Sequence, residues 1–294
     1  MYKINLKRIK KQTTRNTNTI FNDKKYLKGG YLMKIALLHF SLVAGPLEKN
    51  LQKLCWGIET AAENGAKWII TPEMALQGYY MNCIAGNYQP VSENSSELEP
   101  LKALAKKYQL TIFLGCAELT AKQAYNACLV IDASGEIIAR HYKIRTLNWI
   151  TEAWSTPGDS LEVVEIAGVR VGLLVCADAW FAENAAVLAQ KAAQLIVVVA
   201  AWPPGCGGPP EAAWKKCSQA ASNIPVVVCN QTGRTEKLDL TIAQSTVVVA
   251  DKIITAYQGV AEKILYAQLP ADLTDPSKWQ TVNFELAPGN CNLL

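Results

Sequence analysis

The chain has 294 residues, half of them hydrophobic, and a formal net charge of +4. That length allows one large domain with a sizeable core, and no apolar run approaches the roughly 20 residues a membrane helix needs. Charge this close to balance gives no general reason to expect a nucleic-acid or membrane partner.

The charge is unevenly spread. Residues 1–32 carry nine Lys/Arg against one acid, Asp23. This arm lacks helical periodicity and the apolar stretch of a secretory signal. Met33-Lys-Ile-Ala-Leu-Leu then reads as a fresh start. Three expectations stand for the arm: Met33 as the true start, a disordered basic segment, or an organellar transit peptide. The domain itself is expected over 33–270, with 271–294 as an irregular tail. The chain has nine cysteines and no C-x-x-C pair, which suits reduced thiols and a cytoplasmic setting. Only two histidines occur, His39 and His141, so no zinc site is expected.

In chain order, Lys34–Phe40 is expected as a strand. A helix follows Gly45-Pro46, with Leu47, Leu51, Leu54 and Ile58 on one face, and Asn64-Gly65 stops it. Trp68–Thr71 is a short buried strand, followed at once by Pro72-Glu73. A second amphipathic helix covers Glu97–Tyr108. Strands are expected at Thr111–Glu118, Ala124–Ile131 and Glu136–Tyr142, the last two joined by a hairpin turn at Asp132–Gly135. Leu161–Ile166 and Val169–Cys176 form another hairpin through Ala167-Gly168. Helix Glu183–Ala193 leads to strand Leu195–Ala200, and helix Glu211–Asn223 to strand Val226–Cys229. Strands at Thr246–Ala250, Lys252–Ala256 and Lys263–Gln268 close the domain. Alternating β-α-β units and hairpins imply an α/β domain with a mixed sheet, or two stacked sheets, and helices outside.

Three polar residues end buried runs: Glu73, Lys143 and Cys176. Reactive groups in α/β folds collect at the carboxyl ends of strands, so the three are expected to share one rim. A thiol needs a base, and a buried carboxylate with a raised pKa can be one. An ammonium stabilises a thiolate and a developing oxyanion. The amides of Ala177 and Asp178 lie beside the thiol for the same purpose. Each residue also has a plainer reading: Cys176 as a small core hydrophobe, Glu73 and Lys143 as surface charges. A Cys–His pair using His141 or His39 is the competing nucleophile arrangement.

Thr71-Pro-Glu73-Met-Ala-Leu-Gln-Gly-Tyr79, His141-Tyr-Lys143-Ile and Gly172-Leu-Leu-Val-Cys176-Ala-Asp178 resemble, in this order, the glutamate, lysine and cysteine motifs of the nitrilase superfamily of carbon–nitrogen hydrolases. Pro157-Gly158-Asp159 is similar to the family's turn between lysine and cysteine. The resemblance implies a four-layer α-β-β-α sandwich, paired into homodimers or larger assemblies. It implies Cys176 as nucleophile, Glu73 as general base and Lys143 as oxyanion partner, with the Ala177 amide assisting and neither metal nor organic cofactor. Glu152 falls where many members carry a second, substrate-positioning glutamate; an exposed loop acid is the other reading.

The reaction so implied is hydrolysis of a small linear amide through a Cys thioester. Nitrile hydrolysis, hydrolysis of an N-carbamoyl compound and a non-catalytic binding protein on the same fold are the alternatives. True nitrilases place Trp-Glu after the cysteine; Ala177-Asp178 here favours amides. Trp149, Trp154, Trp180 and Trp202 lie near the motifs. Trp149, Trp180 and Trp202 are expected to wall a small apolar pocket, although tryptophan is as often plain core.

Overall fold

The structure, a computed structural model, describes residues 31–44, 47–79, 89–147, 151–203, 210–235 and 238–282. The first half of the chain gives β1 (Tyr31–His39), α1 (Leu47–Glu63), β2 (Ala66–Ile70), α2 (Glu99–Tyr108), β3 (Thr111–Leu119), β4 (Ala124–Ile131) and β5 (Ile137–Tyr142). The second half gives β6 (Val163–Ile166), β7 (Val169–Val175), α3 (Ala182–Gln190), β8 (Leu195–Ala200), α4 (Pro210–Ala220), β9 (Val226–Asn230), β10 (Gln244–Val249), β11 (Lys252–Gln258), β12 (Lys263–Pro270) and β13 (Gln280–Val282).

The strands form two sheets, ordered β13-β12-β1-β2-β3-β4-β5 and β11-β10-β9-β8-β7-β6. The β1–β2–β3 and β7–β8–β9 runs are parallel, and the flanking pairs are antiparallel. Parallel strands need crossovers, which α1, α2, α3 and α4 supply. Their interiors therefore read as continuous apolar runs: every residue of Leu-Ile-Val-Val-Val-Ala in β8 is buried.

Strand alternation builds the layers. From β1, Ile35 and Leu37 join Trp68, Phe113, Val130, Leu173 and Val197 in the core between the sheets. Ala36, Leu38 and Phe40 point the other way and meet Leu54 and Ile58 of α1 and Leu101 and Leu104 of α2. On the outer side of the second sheet, Leu188 of α3 and Trp214 and Cys217 of α4 pack down. The order is helices, sheet, sheet, helices. The carboxyl ends of β2, β5, β7 and β8 come to one edge of this sandwich.

The edges of the domain differ from expectation. The first strand begins at Tyr31, where it pairs with Pro270, and residues 271–282, expected as irregular tail, carry a 3₁₀ turn at Pro276–Lys278 and then β13 on β12. The six cysteines among the described residues are free thiols. No helix among the described residues is long and apolar enough to cross a membrane.

His39 sits at the end of β1, buried, with Nδ1 2.8 Å from Ser245 Oγ and Nε2 3.1 Å from the Gly259 carbonyl. Burial lowers its pKa from 6.5 to about 4. The unfolded chain therefore takes up a proton, between those two values, that the folded chain refuses. Stability is full above pH 6.5 and falls as the pH drops toward 4. Urea unfolding at pH 7 and at pH 4.5 should show this: the loss should be roughly 2 kcal/mol greater in the wild type than in His39→Gln. Equal losses in the two proteins would remove His39 as the cause.

Candidate active site

Glu73 follows β2 directly and is completely buried. Its backbone, which leaves the first sheet, is held by the second. Its N–H donates to the Ala200 carbonyl at 3.2 Å, and its carbonyl accepts from Gln231 Nε2 at 2.7 Å. Met74, next in the chain, has φ 54°. The loop can lie this low because β3 offers Gly115 beneath it. A Cβ there would sit 2.1 Å from the Pro72 carbonyl oxygen and 2.8 Å from Glu73 Cα.

Lys143 leaves β5 with its N–H on the Asn126 carbonyl at 2.8 Å, and its side chain too is wholly buried. Its Nζ donates to Glu73 Oε1 at 2.7 Å and to Glu152 Oε1 at 2.6 Å. Asn126 Nδ2 donates to the same two oxygens, each at 2.7 Å. Glu152 also accepts from the Leu147 amide at 2.6 Å and from the Tyr79 hydroxyl at 3.1 Å. The surface readings of Glu73, Lys143 and Glu152 are thereby excluded: all three are at most 1 % exposed.

Cys176 follows β7 and opens a 3₁₀ turn, Cys176–Trp180. Its φ is 44°, a left-handed conformation that costs a non-glycine residue on the order of 1 kcal/mol. Such strain collects at functional positions. The bend leaves the sulfur under the influence of Glu73 from the first sheet and of the Ala201 amide just past β8, its own neighbour strand. That same amide donates to Glu73 Oε2 at 2.9 Å. Ala177 is the second residue of the turn, and the first amides of a helical turn have no partner within it. The histidines are engaged elsewhere: His39 as described, and His141 with Nε2 2.8 Å from Asp178 Oδ2.

The charges follow from this packing. Burial pushes the Glu73 carboxyl up, and the Lys143 ammonium only partly offsets it. At Glu152 burial is again the largest influence and acts upward, but Lys143, the Leu147 amide and Asn126 together outweigh it and the carboxyl is held below its ordinary value. Burial opposes the Lys143 ammonium, yet Glu73 and Glu152 together hold its pKa well above the usual range. Burial, then Glu73, push the Cys176 thiol well up, against the pull of Lys143 and the Ala201 amide. The resting arrangement is a protonated thiol beside a carboxylate of raised basicity, with a fixed cation between two acids. It suits proton removal from sulfur coupled to attack.

The carbon–nitrogen hydrolase profile matches residues 34–278. The chain belongs to that family. The hydrolase is 28 % identical over 257 residues to citrullinase of Francisella tularensis, covering 80 % of this chain and 88 % of that protein. It is 27 % identical over 248 residues to omega-amidase NIT2-A of Xenopus laevis, with the same shares covered. An amidase from Nesterenkonia sp. superposes with a TM-score of 0.71 at 23 % identity, over 85 % of this chain and 94 % of that one. These place the hydrolase in the nitrilase superfamily as an amidase-type enzyme with the expected sandwich fold.

The structure brings Glu73, Lys143, Cys176 and Glu152 into one cluster. Trp180 and Trp202 stack in parallel at 5.1 Å beside the cysteine turn, and Trp214 meets Trp202 edge-on at 4.6 Å. Trp149 lies outside the described residues. Asn126, Tyr79 and the Ala201 amide were not among the expected site residues. Asn126 had a signal: it is the one amide in the otherwise apolar strand Ala-Tyr-Asn-Ala-Cys-Leu-Val-Ile, and a buried amide needs partners.

Proposed function

We propose that this hydrolase cleaves small linear amides through a thioester on Cys176. The observation that carries the reading is that one buried carboxylate, Glu73, accepts from the lysine and from the Ala201 amide, just past the strand that pairs with β7 in front of Cys176. Glu73 takes the thiol proton as sulfur attacks the amide carbon. Lys143 and the Ala177 amide receive the oxyanion. The tetrahedral centre collapses, the C–N bond breaks, and Glu73 returns its proton to the leaving nitrogen. Water then attacks the thioester carbonyl, giving its proton to Glu73, and the acid leaves as the thiol is reprotonated. Trp180 and Trp202 form the apolar wall beside the acyl group. Names of relatives put ω-amides and ureido compounds first in the substrate panel, and the assembly is read as a homo-oligomer in a reducing cytoplasm.

The test is intact-mass spectrometry after acid quenching, with a panel of small amides, ω-amides, ureides and nitriles, on wild type and Cys176→Ala. The expected result is an acyl adduct on the wild type only, with ammonia release abolished in the variant. Ammonia release persisting in Cys176→Ala would overturn the reading. Turnover of nitriles with none of amides would replace it with nitrile hydrolysis.

A further inference from the structure

The mechanism uses two groups from one sheet and one from the other. Glu73 and Lys143 follow β2 and β5, whereas Cys176 follows β7. Nothing in either sheet's own hydrogen bonding sets the distance between them. Between the lysine segment and the cysteine turn, the gap is crossed by the side chain of Asp178, two residues past the thiol and completely buried.

The carboxylate of Asp178 is fully occupied. Oδ1 accepts from the amides of Ile144 at 3.0 Å and Arg145 at 2.8 Å, the two residues that follow Lys143. Oδ2 accepts from the Val175 amide at 3.2 Å, just before the thiol. Oδ2 also meets His141 Nε2 at 2.8 Å, two residues before Lys143. An ionised carboxylate is acceptor-only, so His141 Nε2 carries the hydrogen. His141 Nδ1 is buried without a partner, which leaves the ring one polar task. The backbone carbonyl of Asp178 accepts from Asn184 Nδ2 at 2.9 Å, anchoring the turn to α3.

We propose that Asp178, oriented by His141, is a positioning residue that fixes the lysine segment against the cysteine turn across the two sheets. It touches no reacting atom. It acts by gripping the chain on both sides of Lys143 and immediately before Cys176. The inference rests on the reading of Cys176 as nucleophile and Lys143 as its charge partner.

Asparagine at 178 offers one acceptor and one NH₂ where two acceptors are needed. Either the 144–145 amides or the Val175 amide must then face a donor, and the segments part. Glutamine at 141 keeps a donor close to the position of Nε2, while leucine removes it.

The experiment measures alkylation of Cys176 by iodoacetamide in the full chain. Peptide mass spectrometry gives both the rate and the fraction of Cys176 that reacts. A misplacement near 1 Å costs about 10²-fold in rate. The expected result is a drop of about 10²-fold in rate for Asp178→Asn and His141→Leu with the reactive fraction unchanged, and a rate near wild type for His141→Gln. A purely structural role would lower the reactive fraction and leave the rate of the folded remainder alone; that outcome overturns the proposal. If Asp178→Asn does not fold, the position-141 pair decides: leucine slow and glutamine fast supports it, and equal rates overturn it. The Cys176→Ala assay separates the two levels. Turnover surviving there removes the nucleophile and this inference with it, whereas wild-type alkylation in Asp178→Asn removes this inference alone.

Discussion

Lys143→Met is expected to lose about 3–5 kcal/mol of stability and to lower amide turnover by at least about 10²–10³-fold. The stability figure follows from what the ammonium holds. Its two partners, Glu73 and Glu152, are buried carboxylates at 2.7 and 2.6 Å. Methionine fills much of the lysine's volume but leaves the carboxylates facing one another with only the Asn126 amide between them. Breaking a buried ion pair from one side costs more than the pair's net worth, because an uncompensated charge remains. The chain has one way out: a proton on one carboxyl can replace the lost cation. That raises the folded pKa of the pair above its unfolded value. The protonated form is stable at low pH and is lost as the pH rises through the folded pKa. The defect of Lys143→Met relative to wild type should thus be smaller at pH 5 than at pH 8, as read by urea unfolding. A defect of the same size at both values would mean that the methionine fails by packing and not by charge. The loss of turnover has a separate cause. The oxyanion loses its fixed cation, and Glu73 keeps a proton that it should be free to accept.

Much of this arrangement was legible in the chain, for identifiable reasons. Leu195–Ala200 and Ala124–Ile131 have the expected bounds, because strands buried on both faces and bounded by polar turns leave little choice of limits. Glu73 and Cys176 stand out because each is the first reactive group after such a run, and Lys143 because it directly follows a strand. What was hidden is held by register. Asn126 lies 53 residues from Glu73 and 26 from Glu152, yet bridges both. Its place depends on β4 pairing with β3 and β5 at one alignment, and a slip of one residue would turn it to the helices. The role of Asp178 was hidden in the same way, since two of its partners lie in a segment more than 30 residues earlier. Glu152 allowed an exposed-loop reading because an acid in a turn is usually solvated. Only the approach of Lys143 and Tyr79 puts it inside. Strand β13 is three residues long, too short for any period to announce.

Glu73→Gln and Glu152→Gln are expected to part company, although the two carboxylates share Lys143 and Asn126. Glutamine at 73 is nearly isosteric but cannot take the thiol proton. General-base action is worth 10²–10⁴-fold, and the hydrogen bonding of the site adds to the loss. Glu73 accepts on both oxygens, from Lys143 and Asn126 on Oε1 and from the Ala201 amide on Oε2. A glutamine NH₂ must face a donor on one side or the other, a buried mismatch worth about 1–3 kcal/mol. Turnover should fall by about 10³-fold or more with substrate binding little changed. Glutamine at 152 removes no proton acceptor from the thiol. It removes a negative neighbour that helps to raise Glu73, so the Glu73 pKa moves down. Glu73 must be ionised to act as base, and activity therefore falls as the pH drops through its pKa. In the wild type that acid limb lies above the ordinary carboxylate value, because burial raises Glu73. In Glu152→Gln it should shift to lower pH, with activity at neutral pH reduced far less than in Glu73→Gln. The measurement is kcat/KM for the best amide of the panel across pH 4–8 in the three proteins. An acid limb that stays in place in Glu152→Gln would mean that Glu73 is not the titrating base. Equal losses in the two variants would mean that the carboxylates act only as paired supports for Lys143, leaving the thiol to another acceptor.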